Sequence, residues 1–498
     1  MGSPHEEGIK IFLSIIRAIF KPVLKLLWFT GLIFPVIYSL WFEESELALN
    51  ISWILAIILF IVNIVRWWGK KGAHPVKEKK RTQPKVNDIL TSDTPHGVIF
   101  GRKQHKYIVK PEGIDGHVLT VGGVGSGKSS CIAIPTLKGW NERVFVIDIK
   151  GELYENSSKE RQAVKVFNPL DEHSCGFDPY YLLKTSHNPP QEAKAIAQAI
   201  IPLPPDVKDP FWIESAQNIL TAAILHYSSL GLSFLKTVEA MLTPSPAGLI
   251  EELSNSPQMA ARLYVSSFVD ADNRLLSSVM TELDRNIIPF VTDRNLISCL
   301  SRKRNITPAN LERGYDIFVH IPEHLLRQWK PLLTLIVNQF LTYFERRDEK
   351  SASPILFLLD EFPRLGKISA MLDGLATLRS KKITICLIIQ SLAQLDTIYG
   401  TNARKVIADT CAYKAILGAT DAETQEYFSR LVGTFEKTKH SKGTQTDPYL
   451  GTPRGKTKST TTEEKRIIKP EEFATLNDIV LLTPYGYCRV DKAPYYSG

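Results

Sequence analysis

Two short stretches of this chain carry residue types that handle phosphate. Residues 121–130 read VGGVGSGKSS, and Gly122 to Ser129 fit the spacing G-x-x-x-x-G-K-[ST]. Glycines let backbone N–H groups turn inward around phosphate oxygens, and a helix starting there adds its positive dipole end. In such a loop Lys128 reaches the β- and γ-phosphates of ATP and Ser129 holds Mg²⁺. The expected nucleotide-binding residues are therefore Gly122, Gly123, Val124, Gly125, Ser126, Gly127, Lys128, Ser129 and Ser130. The second stretch is SPILFLLDEFPRLGKI, residues 353–368, where Ile355 to Leu359 run apolar into Asp360 and Glu361. A buried strand that delivers an aspartate serves the Mg²⁺ shell, and the adjacent glutamate can polarise an attacking water.

Asp148 is a rival, since it also ends an apolar run, RVFVIDIKGELY at 143–154. The Asp360–Glu361 pair is preferred because it supplies a metal ligand and a base together. Asp148 is expected on a neighbouring strand, near the site but outside the metal shell. A further apolar run, ITICLIIQS at 383–391, ends in Gln390. Ligands sit at the carboxyl ends of strands in open α/β sheets, so Gln390 is placed to sense the γ-phosphate or orient the water.

The elements that must hold these groups follow from hydrophobic periodicity. HVLTV (117–121) reads as the strand before the phosphate loop, and SSCIAIPTL as the opening of the helix after it. HGVIFGR (96–102), AVKVFNP (163–169) and YDIFVHIP (315–322) read as further strands. From about residue 190 apolar residues recur three and four apart, in QEAKAIAQAII and FWIESAQNILTAAILHYSSL. The expected fold class is α/β: a P-loop NTPase domain in two parts, 91–184 and 301–498, interrupted by an all-α insertion at 185–300. The polar stretch 436–466 is an exposed hairpin or a loop. Its neighbourhood, 436–469, holds nine basic residues against four acidic ones.

The N-terminus reads differently. Residues 26–42 and 47–65 contain no charged side chain, and each approaches the roughly 20 residues that span a bilayer. Two transmembrane helices within 26–68 are expected, after a cytoplasmic or interfacial segment 1–25 and before a basic juxtamembrane linker, 69–90. Lysines and arginines flank both outer ends, which places both termini in the cytoplasm. Residues 66–85 carry eight basic side chains and one acidic, net +7, against +8 for the 498-residue chain. The basicity is thus mostly juxtamembrane and suits anionic lipid, and charge alone makes no case for nucleic acid. Six cysteines lie singly at 131, 175, 299, 386, 411 and 488. No C-x-x-C spacing occurs, so neither a disulfide framework nor a zinc site is implied.

Taken in order, GGVGSGKSS, IPTL, VIDIKGELY, FNPL, LLDEFPRLGKI, LATLRSKKITICLIIQSLAQLDTIYG, LGATDAETQEYFSRLVG and KAPYY resemble the coupling proteins of conjugative type IV secretion systems. The resemblance covers nearly all of residues 96–495. It implies a membrane-anchored ATPase with a RecA-like motor domain and an all-α domain facing the cytoplasm. It also implies a homo-hexameric ring in the bacterial inner membrane that hands DNA, or relaxosome and substrate proteins, to the secretion channel proteins. The family's motifs fall on Lys128, Ser129, Asp360, Glu361 and Gln390, and on Arg379, an arginine able to face a neighbour's nucleotide. Two departures stand out: the loop between the spans has only a few residues, and Ile149 replaces a proline common in relatives. Two other readings are a protein-substrate receptor with slow ATPase and a septal-type DNA translocase. The translocase usually brings a long linker and a winged-helix reader, neither of which is visible.

Overall fold

The computed structural model describes residues 86–349, 353–446 and 453–496, with Asn50, Trp53, Ile54, Ile57, Ile58 and Ile61, which are helical and exposed. Apart from these six positions and the end of the linker, the expected segments 1–25, 26–68 and 69–90 lie outside the described residues. Gln83–Gly498 forms one compact unit.

That unit is organised by a nine-stranded sheet. In chain order its strands are β1 (Val118–Val121), β2 (Arg143–Asp148), β3 (Val164–Phe167), β4 (Asp316–His320), β5 (Ile355–Leu359), β6 (Ile383–Ile389), β7 (Tyr413–Ile416), β8 (Ile479–Thr483) and β9 (Gly486–Val490). Across the sheet they lie in the order β9-β8-β7-β1-β6-β5-β2-β4-β3. The seven strands from β7 to β3 are mutually parallel, and β8 and β9 extend the β7 edge as an antiparallel hairpin. Every residue of β1, β5 and β6 is buried. Parallel sheets are covered on both faces, which is why these strands read as unbroken apolar runs.

The period of two assigns their side chains to two cores. Leu119, Phe145, Phe357 and Ile385 join one, and Val118, Val144, Leu358 and Cys386 the other. The second core lies under the short helix α1 (Ile134–Gly139) and the strand Val98–Lys103. The first is shared with a helical layer: α2 (Pro189–Ile200), α3 (Phe211–Ser229), α4 (Asn273–Thr292) and α5 (Leu326–Glu345) all contribute. The helices between 189 and 301 therefore have no core separate from that of the sheet. The indole of Trp329 on α5 donates to Asp293 Oδ2 at 2.9 Å, tying the two stretches by a polar bond as well.

Among the described residues no single helix is long and apolar enough to cross a membrane. α3 and the following helix Phe234–Leu242 pass that test only as a pair bent by 118°, and their apolar residues belong to the core. All six cysteines are free and buried. The polar stretch after residue 433 forms a two-stranded antiparallel ribbon, Thr434–Thr446 against Pro453–Arg466.

Candidate functional site: the carboxyl edge of the sheet

β1 ends at Val121, and the chain turns at once into the glycine loop. Gly122 N–H donates to Ile389 O of β6 at 3.2 Å, so the loop is pinned to the adjacent strand. A Cβ at Gly122 would lie 2.3 Å from Ser126 Oγ and 3.2 Å from Leu417 Cβ and Lys128 Cγ, so a side chain here would force the loop's own side chains to shift. Gly127 sits at φ +96°, in left-handed space, where it launches a wide turn over Lys128–Ala133 that continues into α1. Val124 and Gly125 form the exposed rim, while Lys128 is buried and Ser129 and Ser130 are half-buried. Lys128 Nζ donates to Gly122 O at 2.6 Å and Gly123 O at 3.0 Å. Burial pulls this ammonium below its ordinary range, and the carboxylates of Glu361 and Asp360 pull it back up.

β6 lies between β1 and β5, so Gln390 emerges between the phosphate loop and the Asp–Glu pair. Its Nε2 donates to Glu361 Oε2 at 2.9 Å. Glu361 is 4% exposed and adopts φ +48°, ψ +42°, a left-handed backbone uncommon for a residue with a Cβ. Asp360 is 1% exposed, and its Oδ2 has no hydrogen-bond partner; Ser126 Oγ is likewise buried and unpartnered. Burial first, and then the charge of Glu361, push the Asp360 carboxyl up to about 7.

Asp148 is equally buried but fully occupied. Its Oδ1 accepts from Gly151 N–H and its Oδ2 from Tyr154 N–H, both at 2.8 Å, capping the helix that follows β2. It also lies one strand farther from the phosphate loop. At about 4.8 Å per strand the Asp360 strand is roughly 10 Å from β1 and the Asp148 strand roughly 14 Å.

The residues expected to act together thus fall into two groups. Lys128, Ser129, Asp360, Glu361 and Gln390 gather at one edge. Arg379 does not join them. It follows the short helix Met371–Thr377, in the turn that leads into β6, and is exposed at the opposite, amino edge of the sheet. The seven residues of β6 separate it by roughly 20 Å from Gln390.

One residue that the sequence left without a role now faces the site. Lys150 Nζ stands 3.8 Å from Glu361 Oε1 and is about half exposed. Its signal was the lysine two positions after a strand-ending aspartate. Nearby, His320 Nδ1 contacts Asp148 O at 2.9 Å and holds the β2–β4 end together. The C-terminal segment also returns here, with Tyr495 N–H donating to Ser130 O at 2.9 Å.

The arrangement fits a polyanion with a divalent cation. A glycine cradle, a lysine held only by its own loop's carbonyls and an unpartnered buried carboxylate oxygen converge, and two buried oxygens await a partner.

Comparisons with known proteins point the same way. Residues 73–498 match the family described as "Type IV secretory system Conjugative DNA transfer". Among curated proteins, the chain is 25% identical over 407 residues to "Protein VirD4" of Agrobacterium fabrum (strain C58), covering 76% of this chain and 59% of that protein. It is 26% identical over 443 residues to "Conjugal transfer protein TraG" of Escherichia coli, covering 78% of this chain and 67% of that protein. The chain thus spans somewhat over half the length of VirD4. Among solved structures, the unbound bacterial conjugative coupling protein TrwB superposes with a TM-score of 0.65 at 17% identity, over 86% of this chain and 96% of that one. The TrwB complex with the ATP analogue ADPNP gives the same score, and TrwB is also known with ADP and Mg²⁺. These likenesses establish the RecA-like α/β fold, and the family match over most of its length makes this chain a member of the conjugative type IV coupling proteins.

Proposed function

We propose that the protein is a membrane-anchored, Mg²⁺-dependent ATPase that couples DNA, bare or bound to protein, to a type IV secretion channel. The observation that carries the enzymatic part is the unpartnered Asp360 carboxylate, buried beside Glu361 and facing the phosphate loop across β6. Gly122 to Ser130 hold the nucleotide phosphates, with Lys128 leaving its two carbonyls for phosphate oxygens. Ser129 and Asp360 would hold Mg²⁺, which would neutralise charge on the phosphates of ATP. Glu361 takes the proton of the attacking water, and Gln390 fixes the Glu361 carboxylate through their 2.9 Å hydrogen bond. Arg379 acts on a neighbouring copy's nucleotide in a homo-hexameric ring, since its own site is too far away. Two helices within residues 26–68 anchor the ring in the inner membrane, both termini cytoplasmic, with the basic linker against anionic lipid. Family membership supports DNA and the secretion channel as partners.

The test is the Glu361→Gln variant of the full chain. It should bind ATP with wild-type affinity and hydrolyse it at least about 10²-fold more slowly, as loss of a general base does. Hydrolysis at the wild-type rate would remove Glu361 from this role.

A further inference from the structure

A cavity of about 730 Å³ opens between the helical layer and α5, and no residue of the phosphate loop lines it. Its walls come from the 202–205 loop after α2, from α4, from the start of α5, and from the segment that follows Glu361. Arg285, Arg327, Lys330 and Lys367 line it together with His324, and no aspartate or glutamate does.

Two of these cations already have partners. Arg285 pairs with Glu282 at 2.7 Å, and Lys367 Nζ donates to Leu203 O at 2.9 Å. The nearby Asp293 is used up by Gln328 and Trp329, at 2.7 and 2.9 Å. Lys330 has no such satisfaction. Its stem lies across Gly366, where a Cβ would come within 2.4 Å of Lys330 Cε. Burial alone pulls its ammonium down, with no carboxylate close enough to oppose the shift, and Lys367 is in the same condition. Half-buried ammonium groups without a counter-charge are costly. Arg327, exposed at the rim, forms no ion pair among the described residues.

We propose that this cavity is a binding site for phosphate groups. Four cations around one space, only Arg285 of them paired with a carboxylate, suit a multiply charged anion better than a single carboxylate. The volume lies in the ordinary range for a small-ligand site and has room for a nucleotide-sized group. Apart from His324 no aromatic ring lines it, so a nucleic acid would be held by its backbone, without base stacking or sequence reading. A nucleic-acid backbone and a free polyphosphate share this chemistry. The nucleic-acid source rests on the proposed function; the phosphate site itself does not.

The experiment is amine-reactive footprinting of the full chain, read by mass spectrometry at Lys330 and Lys367 without ATP. The probes are a 20-mer oligothymidylate and, separately, inorganic tripolyphosphate. Either probe should slow labelling of Lys330 several-fold in the wild-type protein. The protection should be lost in Arg327→Glu and weakened in Arg327→Gln; both are changes at an exposed side chain that no core contact depends on. Protection by the oligonucleotide identifies a strand backbone as ligand, and protection by tripolyphosphate alone identifies a free polyphosphate. No protection by either probe at saturating concentration, or protection that survives Arg327→Glu, overturns the proposal. Because no ATP is present, either result is independent of whether Glu361→Gln stops hydrolysis.

Discussion

The two edges of the central sheet both bury ionisable side chains, and they satisfy them differently. At the amino edge, Lys110 is completely buried and its Nζ donates to Thr384 Oγ1 at 2.9 Å. His117, also buried, uses both ring nitrogens: Nδ1 accepts from Ile385 N–H and Nε2 meets Leu375 O, each at 3.0 Å. At the carboxyl edge, Asp360 Oδ2 and Ser126 Oγ are buried with nothing to bond. Asp148 marks the boundary, since it belongs to the carboxyl edge by position and to the satisfied class by its hydrogen bonds. Lys110 and His117 tie strands together at one edge; at the other, Asp360 Oδ2 and Ser126 Oγ bond to no protein group. Arg379 differs from Lys110 and His117, being an exposed cation at the edge where those two buried groups are paired.

The largest expected effect tests that exception. A transition-state arginine supplied by a neighbour is worth about 10³ to 10⁵ in rate. Arg379→Ala and Lys128→Ala should each be nearly inactive alone, and mixing them should restore part of the hydrolysis. A mixture that forms mixed oligomers in native gels yet stays inactive would remove Arg379 from the trans role. Arg404 is a poor substitute, because it is buried between Asp396 and Glu423 at 3.0 and 2.9 Å.

Next comes the contrast between the two aspartates. Asp360→Asn should lower turnover by about 10³-fold, the several kcal/mol that a metal-holding carboxylate contributes. Asp148→Asn should instead cost stability, about 1–3 kcal/mol for two weakened helix-capping bonds, with turnover per folded molecule within a few-fold of wild type. Denaturant titration and steady-state hydrolysis on the same samples separate the outcomes. The contrast fails if Asp148→Asn is the inactive variant.

The smallest effect is in the pH dependence of stability. Asp360 rises from 3.8 to about 7 on folding. The folded state then binds the extra proton, so this group costs stability as pH rises from about 4 to 7. His117 falls from 6.5 to about 4, burial being the main cause. The unfolded state then binds the extra proton, so this group adds stability over nearly the same window. The two slopes oppose each other. In metal-free buffer, between pH 4 and 6.5, stability relative to wild type should rise with pH in Asp360→Asn and fall with pH in His117→Gln, each by an amount on the order of 2 kcal/mol. Parallel curves for the two variants would show that neither group is shifted by folding.

The sheet's inner strands are legible because burial on both faces leaves them almost wholly apolar, as in Ile355–Leu359 and, apart from Thr384, Ile383–Ile389. The phosphate loop was legible because its glycines are dictated by closeness and left-handed backbone. The hydrogen bond between Gln390 and Glu361 was not, since it depends on β6 lying between β1 and β5, a long-range ordering that no local period reports. Lys150 was missed for the same reason: its partner is 211 positions away in sequence. The stretch 436–466 reads equally as hairpin or loop because neither face of the ribbon is apolar, so alternation leaves no trace. Arg379 lies in the turn just beyond a short helix, where Lys382 N–H donates to Arg379 O at 3.2 Å, a placement that no local period reports.

The left-handed backbone of Glu361 has a consequence for tempo. A carboxylate aimed by an ordinary side chain can swing away and return by rotamer hops within nanoseconds. Here the aim is set by the main chain, between β5 and the tight turn Phe362–Leu365, and by the bond from Gln390. Moving it requires that whole corner to shift, a motion of microseconds to milliseconds. Re-aiming the Glu361 carboxylate therefore belongs to the slow motions of the molecule, not to side-chain hops.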